Sequence, residues 1–169
     1  QDKVVVAGGP LFSTGCERFS GEKLHFVLTE AEEIMPALVA DLTAGQLQPT
    51  YRAQEKPDLN RTPPPRWDLI DVRDYATLSV QFSRGCPFNC EFCDIIAMYG
   101  RVPRVESPAQ MIAELDAVVA TGWDGAIFIV DDNFIGHKPK VKELLRAIVA
   151  WRESGDRKST RLNSSHGKL

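Results

Sequence analysis

Five consecutive apolar residues, Ala126-Ile-Phe-Ile-Val130, constrain the fold of this chain more than any other feature. A strand of that kind has no polar face to offer water, so it belongs in a parallel sheet with both faces covered. The flanking residues supply the cover. Ser107-Pro-Ala-Gln110 is a capping box with proline at the first helical position, the mark of a helix N-terminus. Met111, Ile112, Leu115, Val118 and Val119 then recur at helical spacing until Gly122. Beyond the strand, Val141, Leu144, Leu145, Ile148 and Val149 stripe another helix. Upstream, Thr77-Leu-Ser-Val-Gln-Phe82 reads as a further strand. Two successive βα units fit the opening of a TIM-style barrel, where function gathers on loops at the strands' C-terminal ends.

A second α/β region precedes these units. Residues 3–7, Lys-Val-Val-Val-Ala, make a short apolar strand running into Gly8-Gly9-Pro10, and Leu24-His-Phe-Val-Leu28 reads as another. Thr29-Glu-Ala-Glu32 is spaced as a capping box, and Ile34, Met35, Leu38, Val39 and Leu42 form the apolar stripe of a helix ending at Gly45. Residues 46–76 carry Pro57, Pro63, Pro64 and Pro65 and are expected to be an irregular connector.

The loop after Phe82 holds the chemistry. Arg84-Gly-Cys-Pro-Phe-Asn-Cys-Glu-Phe-Cys93 presents Cys86, Cys90 and Cys93 as Cys-x-x-x-Cys-x-x-Cys. Clusters that only carry electrons normally use four cysteines, and a closed structural zinc site needs four ligands. Three thiolates would therefore leave one iron of a cubane open for chemistry. A zinc knuckle completed by Cys16, His25 or His137 is the alternative reading. Asp131-Asp132-Asn133-Phe134 directly follows the apolar strand, so its carboxylates emerge at the same end of the sheet. They suit the pairing of a cation in a desolvated cleft.

This spacing resembles the signature of the radical S-adenosylmethionine (SAM) enzymes. The phrases Gln81–Asp94, Tyr99-Gly-Arg101 and Phe128–Gly136 are similar to the hopanoid C-2 methylase-like group, within the cobalamin-binding branch. The resemblance implies that Cys86, Cys90 and Cys93 hold a 4Fe-4S cluster whose open iron chelates SAM. Phe92 matches the aromatic placed against the adenine, and Asp131, Asp132 and Asn133 replace the usual Gly-Gly-Glu run near SAM's ammonium, with Asp132 foremost. Tyr99 and Arg101 would line the SAM pocket or form a surface turn. His137 stands where that group is expected to have Asn, which weakens any inference about substrate.

Val4-Val-Val-Ala-Gly-Gly-Pro10 resembles the late Gly-Gly element of Rossmann-like cobalamin-binding domains, with Gly8 and Gly9 bordering the cobalamin. The family's Asp-x-His-x-x-Gly motif is absent, and His25 is no substitute for it. The implied architecture is α/β: residues 1–45 as the C-terminal part of a cobalamin-binding domain, 46–76 as connector, and 77–155 as the first βα units of a partial radical SAM barrel. The implied activity is methyl transfer to an unactivated carbon, from methylcobalamin to a substrate radical made by a 5′-deoxyadenosyl radical. Rearrangement or ring chemistry with cobalamin is the alternative within the class. The substrate would be a small molecule or lipid-like, and the electron donor external.

At 169 residues, 43% hydrophobic and 25% charged, the chain has room for one domain or parts of two. A net charge of −3 argues against nucleic acid as a general partner, and no apolar run approaches a membrane span. Four cysteines, three of them clustered, fit a reducing cytoplasm. Residues 156–169 break from the preceding pattern: Asp156–His166 resembles the translation of a widely used sequencing-library adapter. That tail is expected to be disordered and without evolved function, the chain truncated, and the polypeptide inactive by itself. Without the tail, 16 basic residues face 22 acidic ones. Cys16 reads as a free thiol, His25 as structural, and Trp67, Trp123 and Trp151 as packing anchors.

Overall fold

Val5–Gly8 (β1), Leu24–Leu28 (β2) and Thr50–Arg52 (β3) pair in parallel in the order β1-β2-β3. They belong to the first of two units, Gln1–Asp58 and Leu59–Leu169. The computed structural model describes residues 3–21, 23–154 and 161–164. Parallel neighbours require crossovers rather than hairpins. Pro10–Gly15 (α1) lies in the first crossover and Met35–Ala44 (α2) in the second. Val27, Ile34, Leu38 and Tyr51 make the unit's small core. Tyr51 also fastens the second crossover, its hydroxyl donating to Asp41 Oδ2 at 2.8 Å and accepting from the Gln48 amide at 2.9 Å. His25 Nδ1 lies 2.7 Å from the Gln48 carbonyl, which can only accept, so the ring donates there and serves the fold.

Two expectations change in this unit. The helix expected to open with the Thr29–Glu32 capping box begins at Met35 instead. Thr29 sits at φ 75°, and its amide donates to Ser13 Oγ at 3.1 Å. Pro36 explains the delay. Begun at residue 30, the helix would carry a proline in its interior, without an N–H and against the carbonyl of Glu32. Starting at Met35 puts it in the first turn, where it costs nothing. Of the expected stripe, Ile34 and Leu38 are buried, whereas Met35, Val39 and Leu42 are exposed. The second change is β3, a strand inside the stretch expected to be wholly irregular.

The second unit opens with single 3₁₀ turns at Leu59–Arg61, Trp67–Leu69 and Val72–Asp74. Thr77–Val80 (β4) follows, then Ser83–Arg84 (β5), Ile95–Tyr99 (α3), Arg104–Val105 (β6), Pro108–Ala120 (α4), Ala126–Ile129 (β7), Lys138–Ser154 (α5) and Arg161–Ser164 (β8). β4, β7 and β8 form a parallel sheet in that order, and β5 and β6 an antiparallel clip. The Ser107 capping box is present in full, with Pro108 in the first turn of α4.

Register decides which face is covered. Leu78 pairs with Ile127 and Val80 with Ile129, so four apolar side chains share one face. Met111, Leu115 and Val118 of α4 and Val141, Leu144, Ile148 and Trp151 of α5 pack in the same core. The other face of β7 is less covered: Phe128 is half-buried and Val130 exposed. Burial on both faces, expected for this strand, is therefore realised on one, because both helices pack on the same side. Trp151 anchors α5 to α4, its indole N–H donating to Asp116 Oδ1 at 2.8 Å, and Trp67 and Trp123 pack against the same core.

The tail expected to be disordered contributes β8, with Arg161 opposite Ala126 and Ser164 opposite Ile129. The physical reason is the edge of β7, a row of backbone groups that an extended segment satisfies whatever its side chains. The rest of that tail, 155–160 and 165–169, lies outside the described residues. No helix of the described residues is long and apolar enough to cross a membrane.

Candidate functional site

The cysteine loop and the acidic run leave β4 and β7 at the same end of the sheet, and buried hydrogen bonds join them. Asp131 Oδ1 accepts from the amides of Phe82 and Ser83 at 2.8 and 3.0 Å, and its Oδ2 accepts from Ser83 Oγ at 2.6 Å. Asp132 Oδ2 accepts from the Gly85 amide at 3.1 Å. Asn133 Nδ2 donates to Cys86 Sγ at 3.4 Å. Beneath them Phe82 and Phe134, both fully buried, meet edge to face at 6.4 Å between ring centroids. Three successive residues of one loop thus grip Phe82, Ser83, Gly85 and Cys86 of the other.

The cysteine loop is closed at its base by β5 and β6, with Arg84 opposite Arg104. Gly85 makes the turn into Cys86 at φ 97°, and the Cys86 amide donates to the Gly100 carbonyl at 3.2 Å. All four cysteines, Cys16 included, are free thiols; Cys86 and Cys93 are half-buried and Cys90 exposed. Among the described residues no three His, Cys, Asp or Glu side chains converge as a ligand set for a single ion. A cubane asks for something else, one thiolate on each of three irons. Phe92 is 91% exposed, an aromatic face with nothing packed on it in the ring contacts of the described residues.

The three residues expected near SAM's ammonium separate here. Asp131 is 3% exposed with three donors on its two oxygens, so it pins the cysteine loop. Burial nevertheless pushes its carboxyl above the ordinary range, against the pull of the Ser83 and Phe82 hydrogen bonds. Asp132 keeps one oxygen on Gly85 and is half-buried. Asn133 is 6% exposed, and its Oδ1 is buried without a hydrogen-bond partner. An orphaned acceptor beside Cys86 is what a cationic donor such as the SAM ammonium would satisfy, so the residues present fit both cluster and SAM. Arg101 donates to the Pro87 carbonyl at 3.4 Å and so belongs to the turn that closes the cysteine loop.

In the first unit the two glycines also separate. A Cβ on Gly8 would stand 2.9 Å from the Val27 carbonyl oxygen of β2, so sheet packing alone requires glycine there. Gly9 has φ 88° and nothing within 4 Å of where a Cβ would be. Its backbone is open to an approaching ligand, as a nucleotide-binding turn must be.

Two acids escaped the sequence reading. Glu114 interrupts the stripe of α4 yet is 5% exposed, and Glu106 lies just after β6. Burial raises Glu106 to about 7, helped by the charges of Glu114 and Asp131 and opposed by Arg84. Burial likewise raises Glu114 to about 7, opposed by the Trp67 indole. Because both folded values lie above the ordinary 4.5, the stability they contribute is complete below that pH and is lost as pH rises through 7. The urea midpoint is expected to fall between pH 5 and pH 8. Glu114→Gln should flatten that dependence; an unchanged slope would remove Glu114 as its source.

Comparison with known proteins fits this geometry. The family model described as the Radical SAM superfamily matches residues 80–168. An uncharacterised methyltransferase of Synechocystis sp. is 47% identical over 152 residues, 89% of this chain and 28% of that protein. The hopanoid C-2 methylase of Rhodopseudomonas palustris is 36% identical over 155 residues, 90% of this chain and 29% of that protein. The chain thus spans less than a third of the length of these relatives. Among solved structures, the cobalamin-dependent S-adenosylmethionine radical enzyme OxsB, with aqua-cobalamin and S-adenosylmethionine bound, superposes with a TM-score of 0.70 at 19% identity. The superposition covers 86% of this chain and 24% of that one, a likeness of fold. With a three-cysteine loop at the end of one parallel strand, an acidic loop bonded to it from the next, and a family match across both, the chain belongs to the Radical SAM superfamily.

Proposed function

We propose that the chain is part of a cobalamin-dependent radical SAM enzyme that methylates an unactivated carbon. The observation that carries this reading is the cysteine loop docked on the β7 loop through Asp131–Ser83, Asp132–Gly85 and Asn133–Cys86. Cys86, Cys90 and Cys93 would hold the cluster, Phe92 would stack on the adenine, and Asp132 and Asn133 would face the SAM ammonium. Asp131 holds the other two in place. Gly9, with Gly8 behind it, would border cobalamin. When bound, these groups supply radical generation and a transferable methyl group. The chain's own residues bind, orient and keep water from the reacting centre.

Methyltransferase chemistry is favoured by the names of the two relatives, and a small-molecule or lipid-like substrate by the hopanoid methylase. An external one-electron donor and a reducing, cytoplasmic setting suit a cluster carried on free thiols. Cluster uptake is the decisive test because it needs only the loop. Anaerobic reconstitution with iron and sulfide is expected to give a brown protein absorbing at about 400 nm. A colourless protein that instead takes one zinc per chain would overturn the reading.

A further inference from the structure

We infer that Asn133 sets the reduction potential of the cluster by donating a hydrogen bond to the thiolate of Cys86, so that it is a positioning and tuning residue rather than only a SAM contact. The inference rests on Cys86 being a cluster ligand, as proposed above. Its starting point is the 3.4 Å contact from Asn133 Nδ2 to Cys86 Sγ. A thiolate offers only lone pairs, so the amide must turn its NH₂ toward sulfur. That orientation also accounts for the buried Oδ1 with no partner on the opposite side of the same amide.

The setting makes the contact persistent. Asn133 is 6% exposed, and its neighbours Asp131 and Phe134 are locked to the strand end that leads into Cys86. The Asn133 carbonyl accepts from the Gly136 amide at 2.9 Å, which closes the turn and fixes where the side chain starts. Cys90 is exposed and accepts no side-chain hydrogen bond among the described residues, so Cys86 is the ligand with a dedicated donor.

Hydrogen bonds to the sulfurs of an iron–sulfur cluster, with net charge and solvent exposure, are what set its potential. Reduction adds one electron to the cluster and loses no ligand. The extra negative charge spreads onto the thiolates, and an N–H aimed at sulfur is worth more in the reduced form than in the oxidised one. Removing it lowers the potential. An adjacent carboxylate lowers it further, because its oxygens oppose the sulfur with charge. A tenfold change in the ratio of reduced to oxidised cluster at fixed applied potential corresponds to about 59 mV for one electron.

The test is a redox titration of the reconstituted protein, followed by electron paramagnetic resonance, comparing wild type with Asn133→Leu and Asn133→Asp. Both variants keep the side chain's size, and iron per chain is measured alongside. We expect the potential to fall in the order wild type, Leu, Asp, with at least a tenfold change in the ratio for Asp. Potentials equal to wild type in variants with full iron would overturn the inference. So would loss of iron from both variants, which would make Asn133 an assembly residue. Wild type that takes up no iron would instead sink the cluster reading on which the inference stands.

Discussion

Gly85→Ala is expected to abolish cluster uptake while most of the helix content survives. Gly85 turns the chain from β5 into Cys86 at φ 97°, a backbone region that costs a non-glycine residue about 1–3 kcal/mol. Space is the harder limit. A Cβ there would lie 3.0 Å from the Gly100 carbonyl oxygen, 3.1 Å from that of Val102 and 3.3 Å from that of Tyr99. All three are backbone atoms, so no side chain can swing away to make room. Relief comes only by moving the 99–102 turn off the cysteine loop. That would break the hydrogen bond from the Cys86 amide to the Gly100 carbonyl and draw the Gly85 amide away from Asp132. The core of α4, α5, β4 and β7 does not depend on this turn. Iron per chain and the cluster absorbance should therefore collapse while far-ultraviolet circular dichroism changes little. A Gly85→Ala protein that binds a full cluster would show that the loop tolerates a different closure.

How legible such features are depends on how far apart in sequence their causes lie. The Ser107 capping box and the Cys-x-x-x-Cys-x-x-Cys run are local, and each can be read from a few neighbouring residues. The late start of α2 was equally local, because Pro36 announces it, and the spacing of Thr29 and Glu32 obscured that signal. β3 is different. A three-residue strand in a proline-rich stretch carries little pattern of its own, and it forms because β2 offers an edge and Tyr51 finds Asp41. Glu114 hides for a similar reason: a lone carboxylate within an apolar stripe looks like a surface position until Trp67 and the core close over it. The pairing of the two functional loops was legible only in outline. Their emergence at one end of the sheet follows from strand direction, but the partners of Asp131 are 48 and 49 residues away. That separation is why one of three adjacent polar residues was expected at a ligand and is found holding the loop.

The same distinction yields the second large effect. Asp131→Ala is expected to cost roughly 3 kcal/mol or more, since two backbone amides and one hydroxyl would lose their acceptor in a buried place, at about 1–3 kcal/mol for each unsatisfied group. Against a typical domain stability of about 5–15 kcal/mol, that is enough to populate open forms of the cysteine loop. Asp131→Asn separates shape from charge. Its amide oxygen can still accept from Phe82 and Ser83, and the Ser83 hydroxyl can reverse to accept from the new NH₂. Burial already raises the Asp131 carboxyl, so losing the charge forfeits little and removes a desolvation penalty. The Asn variant should therefore unfold within about 1 kcal/mol of wild type and bind SAM with similar affinity. Asp132→Asn should weaken SAM binding at unchanged stability. Urea unfolding and equilibrium binding of SAM to the reconstituted protein read the two effects separately. If Asp131→Asn were as stable as wild type but failed to bind SAM, Asp131 would be a ligand-facing group and Ser83 only its orienter.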